Sequence, residues 1–114
     1  MKIPLITTAF LAASSQAYVI RVWTEPNCRG AAAERNVYDG TCAPTGGFQS
    51  FQLLTYGGNT QVLTAYSRNA CAGGETRSGC AGGRNRLPLN ECINTNGGSN
   101  ALGSRAQAFR CPGG

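Results

Sequence analysis

Six cysteines constrain this chain more than any other feature. Cys28, Cys42, Cys71, Cys80, Cys92 and Cys111 all lie downstream of an apolar opening segment, MKIPLITTAFLAASSQA. An even cysteine set behind a secretory leader marks a small scaffold stapled by disulfides in an oxidising compartment. The leader has the parts of a signal peptide: Lys2 gives the positive end, residues 3–13 an apolar stretch, and Ser15, Gln16 and Ala17 the small residues near a cleavage point. Cleavage is expected after Ala17. The apolar stretch is well short of the ~20 residues needed to span a bilayer, and Pro4 interrupts its start. No later segment is apolar enough to span, and the terminal CPGG lacks the tail of a lipid-anchor signal. The expected product, residues 18–114, is a secreted, extracellular, monomeric single domain with no transmembrane segment.

Its acids are five in number, Glu25, Glu34, Asp39, Glu75 and Glu91, against a basic set that is all arginine once Lys2 is removed. The positive balance, +5 for the whole chain, favours encounters with anionic walls, membranes or acidic partners and says nothing about fold. Histidine is absent.

An offset of 43 residues lays VIRVWTEPNCRG (19–30) over VLTAYSRNACAG (62–73), matching Trp23 with Tyr66, Thr24 with Ser67, Cys28 with Cys71 and Gly30 with Gly73. This reads as an internal repeat, with halves at 18–57 and 58–114. Each half opens with a β-branched and aromatic run, at 18–24 and 60–66, followed by turn-rich sequence. FQSFQLL (48–54) alternates with a period of two and reads as a strand. Gly-Gly pairs beginning at 46, 57, 73, 82 and 97 supply positive-φ positions for turns. The chain therefore reads as all-β, with many short strands. Only AAAERNVYDG (31–40) and SRAQAFR (104–110) invite helix, through alanine propensity, and both are too short to stand alone, so at most one or two short helical turns are expected.

The order aromatic, four residues, bulky residue, any residue, glycine occurs as W-TEPN-C-R-G (23–30), with Ser50 twenty residues beyond Gly30. This resembles the opening signature of a βγ-crystallin Greek key. The second half has Y-SRNA-C-A-G (66–73) and Ser104. The resemblance implies a disulfide-stapled sandwich of two Greek keys, with Trp23 at the core-facing aromatic position and Tyr66 as its counterpart in the second motif. It also implies that Gly30 and Gly73 hold a backbone conformation side chains resist, and that the Ser50 and Ser104 hydroxyls bond to folded-over hairpins. A cysteine replaces the family's second aromatic in both motifs. From Gly73 to Ser104 the second half is eleven residues longer than the first, and this insertion contains Cys80 and an arginine-rich segment. A leader followed by such a domain is similar to secreted fungal proteins, including crystallin-like killer toxins and candidate effectors.

Six cysteines allow fifteen pairings, and sequence does not choose among them. The repeat favours Cys28 with Cys42 and Cys71 with Cys92, treating Cys42 and Cys92 as equivalents, which leaves Cys80 with Cys111. Zinc is the rival use of such residues, but there is no C-x-x-C spacing and no histidine.

Without histidine there is no Ser-His or Cys-His pair, and bridged cysteines offer no thiolate. Two acids suffice for glycoside hydrolysis, yet five scattered ones make no pair stand out. No enzymatic activity, cofactor or metal is expected. Many βγ-crystallins bind calcium through residues just before the motif serine; here those stretches read TGGFQS (45–50) and SNALGS (99–104), where only Asn100 could contribute. The segment ETRSGCAGGRNR (75–86) carries Arg77, Arg84 and Arg86, which as an exposed loop could fork to carboxylates, sulfates or phosphates. No cluster of basic and stacking aromatic residues suggests nucleic acid. The leading expectation is a non-enzymatic secreted binding protein of effector or antimicrobial-toxin type, acting on a host or competitor surface. A cell-wall-associated structural protein and an inhibitor of a protease or other enzyme are the alternatives.

Overall fold

The computed structural model describes residues 17–96 and 100–113. The expected leader up to Gln16, and the glycine pair at 97, lie outside the described residues. Eight strands run in chain order: β1 (Ala17–Glu25), β2 (Arg29–Tyr38), β3 (Cys42–Phe48), β4 (Ser50–Thr55), β5 (Val62–Tyr66), β6 (Glu75–Cys80), β7 (Ile93–Asn94) and β8 (Ala101–Gln107). They form two four-stranded antiparallel sheets, ordered β2-β1-β4-β7 and β3-β8-β5-β6. Each run of four successive strands thus keeps three in one sheet and gives its third, β3 or β7, to the other.

Alternation explains β1. Tyr18, Ile20 and Val22 are buried while the residues between them are half-exposed, the pattern of a strand with one face on a core. Against them pack Val37 from β2, Phe51 and Leu53 from β4, and, from the opposite sheet, Phe48, Leu63, Ala65, Ala101 and Ala106. The Phe48 and Phe51 rings meet edge to face with centroids 6.1 Å apart, a favoured aromatic geometry.

FQSFQLL is not one strand. β3 ends at Phe48 and β4 begins at Ser50, so Gln49 sits where the chain crosses between sheets. The crossing resets the alternation, which is how Phe48 and Phe51, three apart, both face the core. The alanine-rich segment 31–40 falls mostly in β2 and 104–110 begins in β8; pairing with β1 and with β5 overrides alanine's helical preference. A short 3-10 turn lies at Asn69–Cys71, and among the described residues no helix is long and apolar enough to cross a membrane.

Three disulfides close the structure: Cys28–Cys92, Cys42–Cys71 and Cys80–Cys111. The last is the expected pair. The pairings Cys28 with Cys42 and Cys71 with Cys92 are corrected, and the exchanged strands give the reason. Cys28 follows β1, whose sheet is completed by β7, so its neighbour is Cys92 just before β7. Cys42 opens β3, which lies in the sheet of β5, so it meets Cys71 just after β5. The two bridges are counterparts, each crossing from one half to the other.

Candidate functional site

The matching cysteines occupy matching turns. Asn27 and Cys28 have φ of 62° and 56°, Ala70 and Cys71 have 60° and 53°, a left-handed conformation uncommon outside glycine. At Gly30 (φ +87°) a Cβ would lie 2.4 Å from Thr24 Oγ1, so no side chain fits. In the second hairpin Gly73 also has positive φ (+142°), but the contact with the matching hydroxyl, Ser67 Oγ, passes to Gly74, where a Cβ would lie 2.0 Å away.

Ser50 ties the first hairpin down. Its buried hydroxyl donates to the Glu25 carbonyl (2.6 Å) and accepts from the Cys28 amide (2.9 Å). Ser104 does something else, and its expected role is corrected. Trp23 pairs with Ser50, but Tyr66 pairs with Gly103; a one-residue displacement along a strand exchanges the two faces. Ser104 therefore points into the core, where its Oγ shares a 2.6 Å hydrogen bond with the Tyr18 hydroxyl and donates to the Thr64 carbonyl. Gly103 faces outward under the second hairpin's bridge, where a Cβ would come 3.3 Å from both Cys42 Sγ and Cys71 Sγ. Trp23 and Tyr66 are half-buried on the faces opposite Ile20 and Leu63, so neither is a core-facing aromatic.

The arginine-rich segment divides in two. Glu75–Cys80 is β6, an edge strand, and carries Arg77. Arg77 pairs with buried Ala65 and so points to the inner side of its sheet at the open margin of the sandwich. There it lines an open cleft of about 510 Å³ with Leu87, Glu91, Ile93 and Asn94 among others. Asn94 is already engaged, exchanging hydrogen bonds with the Asn27 amide and side chain. Arg84 and Arg86 do not line this cleft. They stand on the 81–92 connection to β7, where the insertion's extra length falls, and both are exposed.

This connection is pinned to the body. Ala81, Gly82 and Gly83 are buried, and a Cβ on Gly82 would lie 2.2 Å from the Gly58 carbonyl oxygen. Arg84 Nε donates to the Gly113 carbonyl at 3.0 Å. The Arg86 guanidinium lies 4.6 Å from the centre of the Tyr56 ring, a cation–π contact. Cys80–Cys111 and Cys28–Cys92 fix its two ends. Two cations are thus held on a pinned ledge, and a third, Arg77, lines the neighbouring cleft together with Glu91. Sequence reasoning found the arginines but missed Glu91, Asn94 and Tyr56, because their approach depends on which sheet β7 joins.

Among the described residues no group of three or more His, Cys, Asp or Glu is placed to hold a metal ion, and every cysteine is bridged. No protein family, curated protein or solved structure matches the chain.

Proposed function

We propose that this chain is a non-enzymatic secreted binding protein of effector or antimicrobial-toxin type, built on a βγ-crystallin-like pair of Greek keys and acting by contact at a host or competitor surface. The strand order supports the scaffold: β4 lies beside β1 and β1 beside β2, with β3 carried across to the other sheet, and β8, β5, β6 and β7 repeat this arrangement. Two Greek keys that exchange their third strands account for both cross-half bridges.

The observation that carries the functional reading is that all six cysteines are committed to bridges in a chain without histidine. The usual nucleophile-and-base pairs are then missing, and what the molecule presents is a rigid surface with fixed arginines. Three disulfides suit an oxidising, extracellular setting. The test is retention on intact cells of candidate hosts and competitors, using labelled, oxidised 18–114. Saturable retention that is lost after reduction and alkylation is expected. Absence of saturable retention on every cell type, or retention indifferent to reduction, contradicts the reading.

Inhibition of a secreted enzyme is a second form of the same idea, favoured by the pinning of Arg84 and Arg86. Inhibition of a target protease that is unchanged in Arg84→Ala/Arg86→Ala would remove that loop from consideration.

A further inference from the structure

The outer face of the second sheet carries a groove that the arginine ledge does not explain. β5 runs between β8 and β6. Its buried residues Leu63 and Ala65 pair with Ala106 and Ser104 on the core side. Thr64 and Tyr66 therefore face outward with Gln107 on β8 and Ser78 and Glu75 on β6. With Arg110 these residues line an open groove of about 260 Å³.

Two observations bear on it. Many polar side chains elsewhere on the surface are already tied: Arg21 to Glu34, Arg35 to the Pro44 and Glu34 carbonyls, Gln52 to the Asn90 carbonyl and Asn27 to Asn94. In the groove, the side chains of Thr64, Tyr66, Glu75, Ser78, Gln107 and Arg110 make no hydrogen bond or ion pair within the described residues. Beside the groove, though not on its lining, Arg105 stands in register with Thr64 on the same face and has an Nε sealed from solvent and without a protein partner, an arrangement proteins usually satisfy.

We propose that this groove binds a short segment of a neutral oligosaccharide. Tyr66, half-buried, offers an aromatic face and a polar tip. Around it stand two hydroxyls, an amide, a carboxylate and a guanidinium, a mixture of donors and acceptors that matches sugar hydroxyls, each of which both donates and accepts. The Glu75 carboxylate offsets Arg110 and disfavours an anionic chain, which separates this groove in chemistry from the cationic ledge. Its volume lies below the roughly 300–1,000 Å³ of drug-sized ligand sites, limiting the occupant to a small unit of a longer chain. Because all of these side chains except that of Arg110 stand on three paired strands, most of the site is formed before the ligand arrives.

The experiment is an NMR titration of oxidised 18–114 with cellohexaose, laminarihexaose and chitohexaose, each to millimolar concentration, with a heparin-derived hexasaccharide as the anionic comparison. At least one neutral hexaose is expected to shift the amides of Thr64, Tyr66, Ser78 and Gln107 while leaving Arg21 and Glu34 on the first sheet unmoved. Tyr66→Ala and Glu75→Gln should each weaken that binding by about tenfold, the equivalent of ~1.4 kcal/mol. Ser78→Arg, at an exposed position that burdens no core contact, should block the groove and do the same. Shifts confined to the first sheet or to 81–92, binding of the anionic sugar alone, or no shift with any neutral hexaose would overturn the proposal. The groove stands on its own geometry: failure here leaves cell-surface retention to be judged separately, and failure of retention leaves this titration valid.

Discussion

Ser50 and Tyr18 show how single hydroxyls hold this structure. Ser50 satisfies the Cys28 amide and the Glu25 carbonyl where the first hairpin folds over the sheet. Ser50→Ala would take this partner from both backbone groups, a loss of ~1–3 kcal/mol, seen as a lower denaturant midpoint with an unchanged slope. Tyr18 joins the sheets through Ser104 Oγ and the Arg105 carbonyl. Burial pushes its phenol well above the ordinary value of 10.0, with the Ser104 hydrogen bond pulling the other way. The folded state therefore keeps a proton that the unfolded chain releases near pH 10. This stabilisation is complete below that pH and declines as pH rises toward the folded-state value. Melting temperatures should be level through mildly alkaline buffer and fall above about pH 10. Tyr18→Phe should cost ~1 kcal/mol at neutral pH through the lost hydrogen bond, yet show a shallower alkaline decline. An equal decline in both proteins would assign the effect to another group.

At the scale of elements, the edges need explanation. β6 and β7 are edge strands on the same open side of the sandwich, and exposed edges invite pairing with other chains. The inward-pointing Arg77 on β6 is a known device against this, and β7 is only two residues long. Arg77→Val should increase concentration-dependent association, measured by sedimentation, without lowering thermal stability; unchanged sedimentation behaviour would contradict this role. β1 was legible as the β-branched and aromatic run at 18–24, and in the structure Tyr18, Ile20 and Val22 alternate with half-exposed residues. β4 was legible within the run 48–54, whereas β3 was not read beyond Phe48, and nothing local in FQSFQLL marks Gln49 as the crossing between sheets. Ser104 was misplaced for a related reason. Motif spacing counts residues along the chain, whereas the facing residue is set by pairing with β5, and pairing puts Gly103 there. The groove was invisible in sequence because Tyr66, Glu75 and Gln107 come together only through the β6-β5-β8 order.

For the whole molecule, the repeat set Cys28 beside Cys71 and Cys42 beside Cys92 as counterparts, and the assumption that each half closes on itself gave bridges that differ from Cys28–Cys92 and Cys42–Cys71. Exchange of third strands turns the two halves into one interlocked unit whose bridges span sequence separations of 64, 29 and 31. Loops of these lengths contribute about 3–4.5 kcal/mol each in the chain-entropy account. Together they rival the ~5–15 kcal/mol net stability of an ordinary domain. Reduction is expected to unfold the protein, with loss of its β-type circular dichroism; a reduced sample with native spectrum and melting point would contradict this. The interlock itself is tested most directly by non-reducing tryptic mass mapping, because arginines place the six cysteines on six separate peptides. Peptide 22–29 should be found joined to 87–105, 36–68 to 69–77, and 78–84 to 111–114. Recovery of 22–29 joined to 36–68 would mean that each half closes on itself, and would contradict the exchanged-strand architecture.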